Sequence, residues 1–230
     1  MIEILNDLKL DSPFVEKITH GYISKEFRII RPAETNSHIV ISKRRDKNEV
    51  LLVGPWSEAS PIIIGSDAEI IWIRLQIGTQ MSAIPTHACT NNECVIKNLS
   101  SSKIKLNDSI LSIPNFKDVD GFLNKLKQIK FFKYNSMISE AMAGLLPIMP
   151  SRTLRKHFLD IAGLSHERIC QIQKANNAKT MLSSGVPILD VVNSLGYYDQ
   201  SHLTNNLKKF IGKTPGELKK ISELPNLPRL

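Results

Sequence analysis

Short apolar runs separated by turn-forming residues dominate the first half of the chain. Within residues 70–77, apolar Ile71, Ile73 and Leu75 alternate with polar residues, and this period of two indicates a β-strand with one buried face. We expect the odd-numbered residues to face the core and the even-numbered residues to face away from it. Runs of this kind lie at 27–30, 38–42, 50–53, 62–64, 70–77, 95–96 and 104–106. Their number and spacing predict a small antiparallel β barrel or sandwich.

After residue 115 the apolar positions recur at helical spacing. Across 116–133, Val119, Phe122, Leu123 and Leu126 are interspersed with lysines, which predicts an amphipathic linker helix. One role for this helix is to cap the β-rich region or to pack on the next helix. The alternative is a contact between two copies of the chain.

Helical spacing is clearest after residue 187. The residues that would share one buried face of a first short helix are Ile188, Val191, Val192 and Leu195. Gly196 is expected to end this helix, because glycine readily adopts the positive φ of a tight exit. Asp199 can then cap a second helix, whose buried stripe would be Leu203, Leu207 and Phe210.

Two short helices joined by a glycine-containing turn form a helix-turn-helix unit, whose second helix enters the DNA major groove. The outward side of the second helix would carry side chains that can bond to base edges or phosphates, namely Gln200, Ser201, Thr204 and Asn205.

A second copy of this pattern lies 49 residues upstream. At that shift, Leu203 aligns with Leu154, Leu207 with Phe158, Gly212 with Gly163 and Thr214 with Ser165. The polar side of the upstream helix carries Arg152, Arg155 and Lys156. Ser165 is expected to cap a long central helix that joins the two units and continues to about residue 183. Thr214 is expected to cap a last short helix.

The ordered set of motifs over residues 134–220 resembles the AraC/XylS-type family of bacterial transcription regulators. The resemblance rests on the strings Arg152-Thr153-Leu154, Gly163-Leu164-Ser165, Gly196-Tyr197-Tyr198-Asp199-Gln200-Ser201-His202-Leu203 and Phe210-Ile211-Gly212-Lys213-Thr214-Pro215. It implies a protein that binds double-stranded DNA. The odd number of cysteines and the lack of an evident signal peptide predict a cytoplasmic location. RNA polymerase, a small-molecule effector and a second copy of the chain are the further partners that the resemblance implies. Residues 144–150 depart from the family pattern, because they carry two prolines where a short turn is usual.

By this resemblance, Arg152, Arg155 and Lys156 match base- and phosphate-contacting positions of the first reading helix. In the second reading helix, the residues at the matching positions are Gln200, Ser201, Thr204 and Asn205. Members of the family often have arginine at the position of Asn205. Lys208 and Lys209 are expected to contact phosphates, which sets affinity but carries no sequence information.

Three further interpretations concern other residues of the helical region. Tyr197 is expected to pack between helices, and His202 to pack or cap at the start of the second reading helix. Arg168 and Lys174 are expected to be ordinary surface charges.

A weaker resemblance covers part of the β-rich region. The string Gly54-Pro55, followed by Ile73-Arg74-Leu75 and then Gly78, resembles the amino-terminal β domain of one branch of the same family. This resemblance implies a domain that binds an effector or a partner subunit.

The charge of the chain is divided unevenly between its halves. Residues 1–115 hold 13 basic and 13 acidic side chains, whereas residues 116–230 hold 17 basic and 9 acidic ones. All of the net charge of +8 therefore lies in the half with the repeated motif. This asymmetry favours a polyanion-binding module joined to a neutral domain. No signal peptide or membrane-spanning run is evident in the sequence.

The only dense cluster of ligand-like residues is His87, Cys89, Glu93 and Cys94. A structural zinc site needs four ligands, usually paired two to four residues apart, so we expect free thiols and no metal or cofactor. We also expect no catalysis, because no catalytic spacing rises above chance. The alternatives left open are an enzyme with a β-barrel active site and a DNA-binding tail, and an adaptor that uses the helical bundle to bind proteins.

The sequence thus predicts an α+β protein of two domains. The expected boundaries are a β-rich effector or partner domain at 1–115, a linker helix at 116–133, an all-α domain with two helix-turn-helix units joined by a central helix at 134–221, and a loose tail at 222–230.

Overall fold

The computed structural model describes residues 2–45, 47–145 and 148–222. A β-rich half is followed by a helical half, so the mixed α and β content expected from the sequence is confirmed. The predicted tail lies, from residue 223 onwards, outside the described residues. In the described residues, no helix is both long enough and apolar enough to cross a membrane.

In the described part of the β-rich half, six strands form the main antiparallel sheet, in the spatial order β1-β2-β7-β4-β5-β9. Its register places Ile39 of β4 opposite Ile73 of β7 and Leu52 of β5. The strands are β1 (Ile2–Lys9), β2 (Val15–Ile23), β4 (His38–Lys43), β5 (Asn48–Val53), β7 (Ala68–Leu75) and β9 (Glu93–Val95).

The smaller sheets are a ribbon of β3 (Phe27–Arg31) with β6 (Ser60–Ile64), a pair of β8 (Thr79–Met81) with β13 (Phe132–Tyr134), and a meander of β10 (Asn98–Ser100), β11 (Lys103–Leu106) and β12 (Ser109–Ser112). A four-residue helix, α1 (Thr86–Cys89), precedes β9.

The expected alternation in β7 is confirmed. Ile71, Ile73 and Leu75 are fully buried in the core, whereas Trp72 faces the opposite side of the sheet and lines a cavity. The same period of two operates in β4, where Ile39 and Ile41 are buried in the core, whereas His38, Val40 and Ser42 line the cavity. The sheet therefore has one fully apolar face and one face that contributes to a ligand-sized space.

The sequence predicted a small barrel or a sandwich, and the described residues do not form a closed barrel. The hydrogen-bond ladder of the large sheet ends at β1 on one side and at β9 on the other, and β3 and β6 pair only with each other. A barrel needs its first and last strands to pair, so the ladder here remains open. The β3–β6 ribbon instead covers the cavity side of the large sheet.

The linker helix is shorter than the predicted span 116–133. A 3-10 turn at Phe116–Asp118 leads into α2 (Val119–Gln128), and the chain then reverses at Lys130, whose φ is 53°. The following residues form β13 because they pair with β8. The apolar side of α2 packs in the core of the β-rich half, which favours the capping role over a dimer contact.

Among the described residues of the second half, six helices pack around a separate hydrophobic core. Three of the helices expected from the sequence begin with the predicted side-chain caps, at Ser165, Asp199 and Thr214. The helices are α3 (Ser136–Met142), α4 (Ser151–Ala162), α5 (His166–Ser183), α6 (Ile188–Ser194), α7 (Gln200–Phe210) and α8 (Pro215–Ser222).

Candidate nucleic-acid interface and ligand cavity

The second helix-turn-helix unit consists of α6, a tight turn and α7. Gly196 adopts a φ of 63° in the turn, as the sequence predicts. Asp199 Oδ1 accepts a hydrogen bond from the backbone N–H of His202 at 2.7 Å, and His202 Nδ1 accepts one from the backbone N–H of Tyr198. The start of α7 is therefore fixed by two side chains, and the capping role expected for His202 is confirmed.

Tyr197 holds α7 against the rest of the helical half. Its ring is buried, as the sequence predicts, and its hydroxyl donates to Asn206 Oδ1 at 2.9 Å. Burial also raises the pKa of Tyr197 to about 12, so the phenol remains a neutral donor. Lys174 Nζ donates to the carbonyl of Gly196 at 2.9 Å and lies 4.2 Å from the centre of the Tyr197 ring. Lys174 is thus a structural clamp on the turn and not an ordinary surface charge.

The outward side of α7 presents the four side chains expected from the sequence. Gln200, Ser201, Thr204 and Asn205 line one shallow concavity in the protein surface. The hydroxyl of Thr204 donates to the carbonyl of Gln200 at 2.8 Å, which leaves its oxygen lone pairs as the groups available to a ligand. Gln200 and Asn205 keep both donor and acceptor capacity at the surface.

The first unit consists of α3 and α4. Asn135 Oδ1 caps α3 by accepting from the backbone N–H of Met137 at 3.0 Å, whereas α4 follows Pro150 without a side-chain cap. Arg152, Arg155 and Lys156 are all exposed on α4. In the described parts of the chain, none of these three cations forms an ion pair, so they are free to meet an anionic partner.

The two lysines near the end of α7 differ in their surroundings. Lys208 is exposed and is not ion-paired with any described residue. Lys209 Nζ lies 3.3 Å from Glu58 Oε1, an acidic side chain of the β-rich half. Arg168 Nη1 approaches the same carboxylate oxygen at 3.7 Å and its guanidinium lies 5.4 Å from the Phe210 ring. Arg168 is therefore part of an interdomain contact that the sequence analysis missed.

The β-rich half contacts the carboxyl-terminal ends of both reading helices. At α7, the backbone N–H groups of Ala33 and Ala59 donate to the carbonyls of Phe210 and Lys209, at 2.7 and 2.8 Å. At α4, Gln80 Nε2 donates to the carbonyl of Asp160 at 3.0 Å, and the Thr90 hydroxyl donates to that of Gly163 at 3.3 Å. These hydrogen bonds satisfy backbone carbonyls that the carboxyl-terminal end of a helix leaves unpaired. None of them covers the amino-terminal end of α4 or of α7.

The two units are joined by the 18-residue α5, and this arrangement has the architecture of a domain with two helix-turn-helix units, a type of unit that binds DNA. Residues 148–221 match the family model described as a helix-turn-helix domain, which is of the AraC type. The match covers α4 to α8, about a third of the chain, so this part of the chain is similar to a helix-turn-helix domain of that type. No curated protein and no solved structure matches the chain.

A cavity of about 290 Å³ lies between the large sheet and the β3–β6 ribbon. Its wall is mainly apolar, and both tryptophans of the chain, Trp56 and Trp72, contribute to it. The Arg31 guanidinium lies 3.3 Å from the centre of the Trp56 ring and donates to Glu93 Oε1 at 2.7 Å. Its burial lowers the pKa of Arg31, an effect that the neighbouring Glu93 opposes.

His38 adds a neutral polar group to the cavity wall. Burial is the main reason that the pKa of His38 is lowered to about 3, and the charges of Arg74 and Arg31 lower it further. The imidazole is therefore uncharged at neutral pH, so its 3.8 Å approach to Glu34 is not an ion pair. Trp72 Nε1 donates to His38 Nδ1 at 3.1 Å, which assigns the remaining ring proton to Nε2.

The cluster of His87, Cys89 and Cys94 does not form a metal site in the described structure. In residues 2–45, 47–145 and 148–222, no group of three or more histidine, cysteine or acidic side chains is placed to hold a metal ion. The three cysteines are free thiols.

Proposed function

We propose that the protein is a sequence-specific transcription regulator whose two reading helices bind successive major-groove segments of one DNA duplex. The observation that carries this proposal is the exposure of one polar face on each of α4 and α7, with α5 holding the two helices in one body. Two reading helices recognise a longer site than one, and an asymmetric pair suits a non-palindromic site.

Each set of side chains has a distinct task in this proposal. Arg152, Arg155 and Lys156 read bases and contact phosphates in the first groove segment. In the second segment, the uncharged group of Gln200, Ser201, Thr204 and Asn205 reads base edges. Arginine can pair bidentately with guanine O6 and N7, and glutamine with adenine N6 and N7. Lys208 and Lys209 contact phosphates on the flank of α7.

The test of DNA binding begins with selection of bound fragments from a random DNA pool. We expect one enriched sequence family, and we expect the binding constant to fall steeply as salt is raised, because phosphate contacts release counterions. Fluorescence anisotropy of a labelled selected fragment, with a scrambled fragment as control, measures both effects. Equal affinity for the selected and scrambled fragments would contradict sequence-specific reading.

We further propose that the cavity of the β-rich half binds a small, largely apolar effector. Ligand sites are typically several hundred Å³ in volume, with apolar walls and a few polar groups, and this cavity has that character. Its wall is also close to the DNA-binding half. Glu34 and Trp56 exchange two backbone hydrogen bonds at the cavity, and Ala33 beside them donates to the last turn of α7. An occupant that moves this wall would therefore act on α7 directly.

The effector proposal can be tested without knowing the natural ligand. The probe is the dye 1-anilinonaphthalene-8-sulfonate, and we expect energy transfer from Trp56 and Trp72 to one bound dye molecule. Val40→Phe, which places a larger side chain in the cavity wall, should weaken dye binding at least fivefold. The control Val95→Phe enlarges an exposed residue and should have no effect. Equal dye binding in Val40→Phe and in the unchanged protein would contradict the proposal.

RNA polymerase and a second copy of the chain are the further partners that the family resemblance implies, and both remain predictions. A regulator of this kind acts where the chromosome is, so we propose a cytoplasmic location. We propose no catalytic activity for the chain.

A further inference from the structure

Two cysteines of the β-rich half lie in contact. Cys89 ends α1 and Cys94 lies in β9, and their sulfur atoms are 3.3 Å apart. A disulfide bond is about 2.05 Å long, so the pair can close by a movement of little more than 1 Å. The intervening four residues include Asn91, whose φ of 54° gives the tight reversal that brings the two thiols together.

The two thiols differ in their access to solvent. Cys89 is fully buried, and this burial raises the pKa of its thiol to about 12. Cys94 is partly exposed, and its thiol lies 3.8 Å from the carbonyl of Ala88. Oxidants react with the thiolate form of an accessible cysteine, so Cys94 is the residue that an oxidant reaches first. Cys89 is then held in position to react with the oxidised sulfur.

We propose that Cys89 and Cys94 form a reversible intramolecular disulfide when the protein meets a peroxide. Cys94 transfers two electrons to hydrogen peroxide, which yields a sulfenic acid on Cys94 and one water. The Cys89 sulfur then attacks the Cys94 sulfur, and the hydroxyl leaves with the Cys89 proton as a second water. The balance is two thiols and one peroxide consumed, one disulfide and two waters formed. A dithiol reductant reverses the reaction.

The segment that carries the two thiols also contacts the DNA-binding half. Thr90, next to Cys89, has its hydroxyl 3.3 Å from the carbonyl of Gly163 at the end of α4 and 3.2 Å from the carbonyl of Thr86, so these two acceptors share its one proton. On its other side, the backbone of Cys89 presses against Gly54, where an added Cβ would lie 1.8 Å from the Cys89 carbonyl oxygen. Asn91 donates its backbone N–H to the carbonyl of Pro55 at 2.8 Å. The backbone around Cys89 therefore has little room to move without a change in its contacts with Gly54, Pro55 or Gly163.

From this placement we expect oxidation to alter the contact with α4 and thereby the DNA affinity. This consequence rests on the proposed function, whereas formation of the disulfide does not. The full chain is treated with hydrogen peroxide and then with an alkylating reagent, and its intact mass and disulfide-linked peptides are measured. Cys170 in α5 provides a matched control, because it is also a free cysteine but has no second thiol beside it in the described structure.

We expect a loss of two hydrogens, a linked peptide that contains Cys89 and Cys94, and recovery of both thiols with dithiothreitol. Cys170→Ser should behave like the unchanged protein, and Cys94→Ser should form no linked peptide. Sulfinic acid at Cys94 with no disulfide, or chains crosslinked through Cys170, would overturn the assignment.

The second measurement is the affinity of oxidised and reduced protein for a selected DNA fragment. We expect at least a threefold difference in the unchanged protein and none in Cys94→Ser. Equal affinities for a protein that has formed the disulfide would overturn the link to α4. A reduced protein that binds no DNA would instead refute the proposed function, while the mass measurement would still decide whether the disulfide forms.

Discussion

The two helix-turn-helix units of this protein share a sequence pattern but differ in how firmly they are built. In the second unit, α7 is capped by Asp199, and its inward residues Leu203, Leu207 and Phe210 are at most 1% exposed. In the first unit, α4 lacks a side-chain cap, and Leu154, the counterpart of Leu203, is only partly buried. The reading helix of the first unit is therefore held less firmly than that of the second.

The two reading faces also differ in chemistry, and the less firmly packed helix carries the more strongly charged face. At the 49-residue shift, Arg152, Arg155 and Lys156 of α4 correspond to Ser201, Thr204 and Asn205 of α7. The less firmly packed unit carries three cations, and the firmly packed unit carries three neutral polar groups. Charged side chains tolerate imprecise placement, because their attraction to phosphate falls off slowly with distance. Neutral hydrogen-bonding groups need accurate placement, because a hydrogen bond weakens steeply with poor geometry.

The largest expected effect concerns packing. Leu203→Ala should lower the free energy of unfolding of the helical half by about 2–5 kcal/mol, because it leaves a cavity beside fully buried neighbours. Leu154→Ala should cost roughly 1–2 kcal/mol, since its side chain is partly in contact with water already. Urea denaturation followed by circular dichroism at a helix wavelength measures both. Leu159→Ala, at an exposed position of α4, is the control, and equal losses at Leu154 and Leu203 would remove the contrast in packing.

The next effect concerns reading. Arg155→Ala should weaken binding to the selected DNA fragment by about 1–3 kcal/mol, the scale of a lost bidentate base contact. Thr204→Ala, at the corresponding position of α7, should weaken it by less than about 1 kcal/mol, because the Thr204 hydroxyl already donates within its own helix. Anisotropy titrations with selected and scrambled fragments measure the change. A larger loss at Thr204 than at Arg155 would reverse the assignment of the dominant reading helix.

A smaller effect concerns the capped start of α7. Asp199→Ala should lower the free energy of unfolding by about 1 kcal/mol, because the backbone N–H of His202 loses its acceptor. The cap also orients the first turn of the reading helix, so we expect weaker binding of the selected fragment. Asp199→Asn, which retains an acceptor oxygen, should restore most of the stability. An unchanged melting temperature in Asp199→Ala would show that packing alone fixes the start of α7.

The smallest effect concerns the flank of α7. Lys208→Ala should make the salt dependence of DNA binding shallower by about one unit of slope, whereas Lys209→Ala should change it less because Lys209 is paired with Glu58. Glu58→Gln should release Lys209 and raise DNA affinity by up to about fivefold, as expected for an exposed ion pair worth about 1 kcal/mol or less.

The gain from Glu58→Gln should be absent when Lys209→Ala is also present. Glu49→Gln, which removes an acidic side chain paired with Arg44 and Lys47, serves as the control for general charge effects. Glu58→Gln could instead raise DNA affinity equally in the presence of Lys209 and in Lys209→Ala. Long-range repulsion between the Glu58 carboxylate and DNA phosphates would then explain the gain, and the ion pair with Lys209 would not.

The elements predicted from the sequence are those that depend on residues close together in the chain. The caps at Ser165, Asp199 and Thr214 and the turn at Gly196 depend on chemistry within three or four residues. The alternation in β7 was equally local. Closure of the barrel, by contrast, required the outer strands to pair, and no local pattern specifies whether such distant strands meet. The linker helix was predicted too long because Phe132 is apolar both in a helix and in the strand that pairs with β8.

The same distinction between local and long-range interactions holds for the candidate site. The sequence by itself determined which side chains the two reading helices offer, since helical periodicity separates buried leucines from exposed polar residues. Only the tertiary structure decided that Glu58 meets Lys209 and that Lys174 holds the turn through the Gly196 carbonyl. The physical reason is the range of the interactions: periodicity and capping act along the backbone, whereas these contacts join segments whose meeting depends on how the whole chain packs.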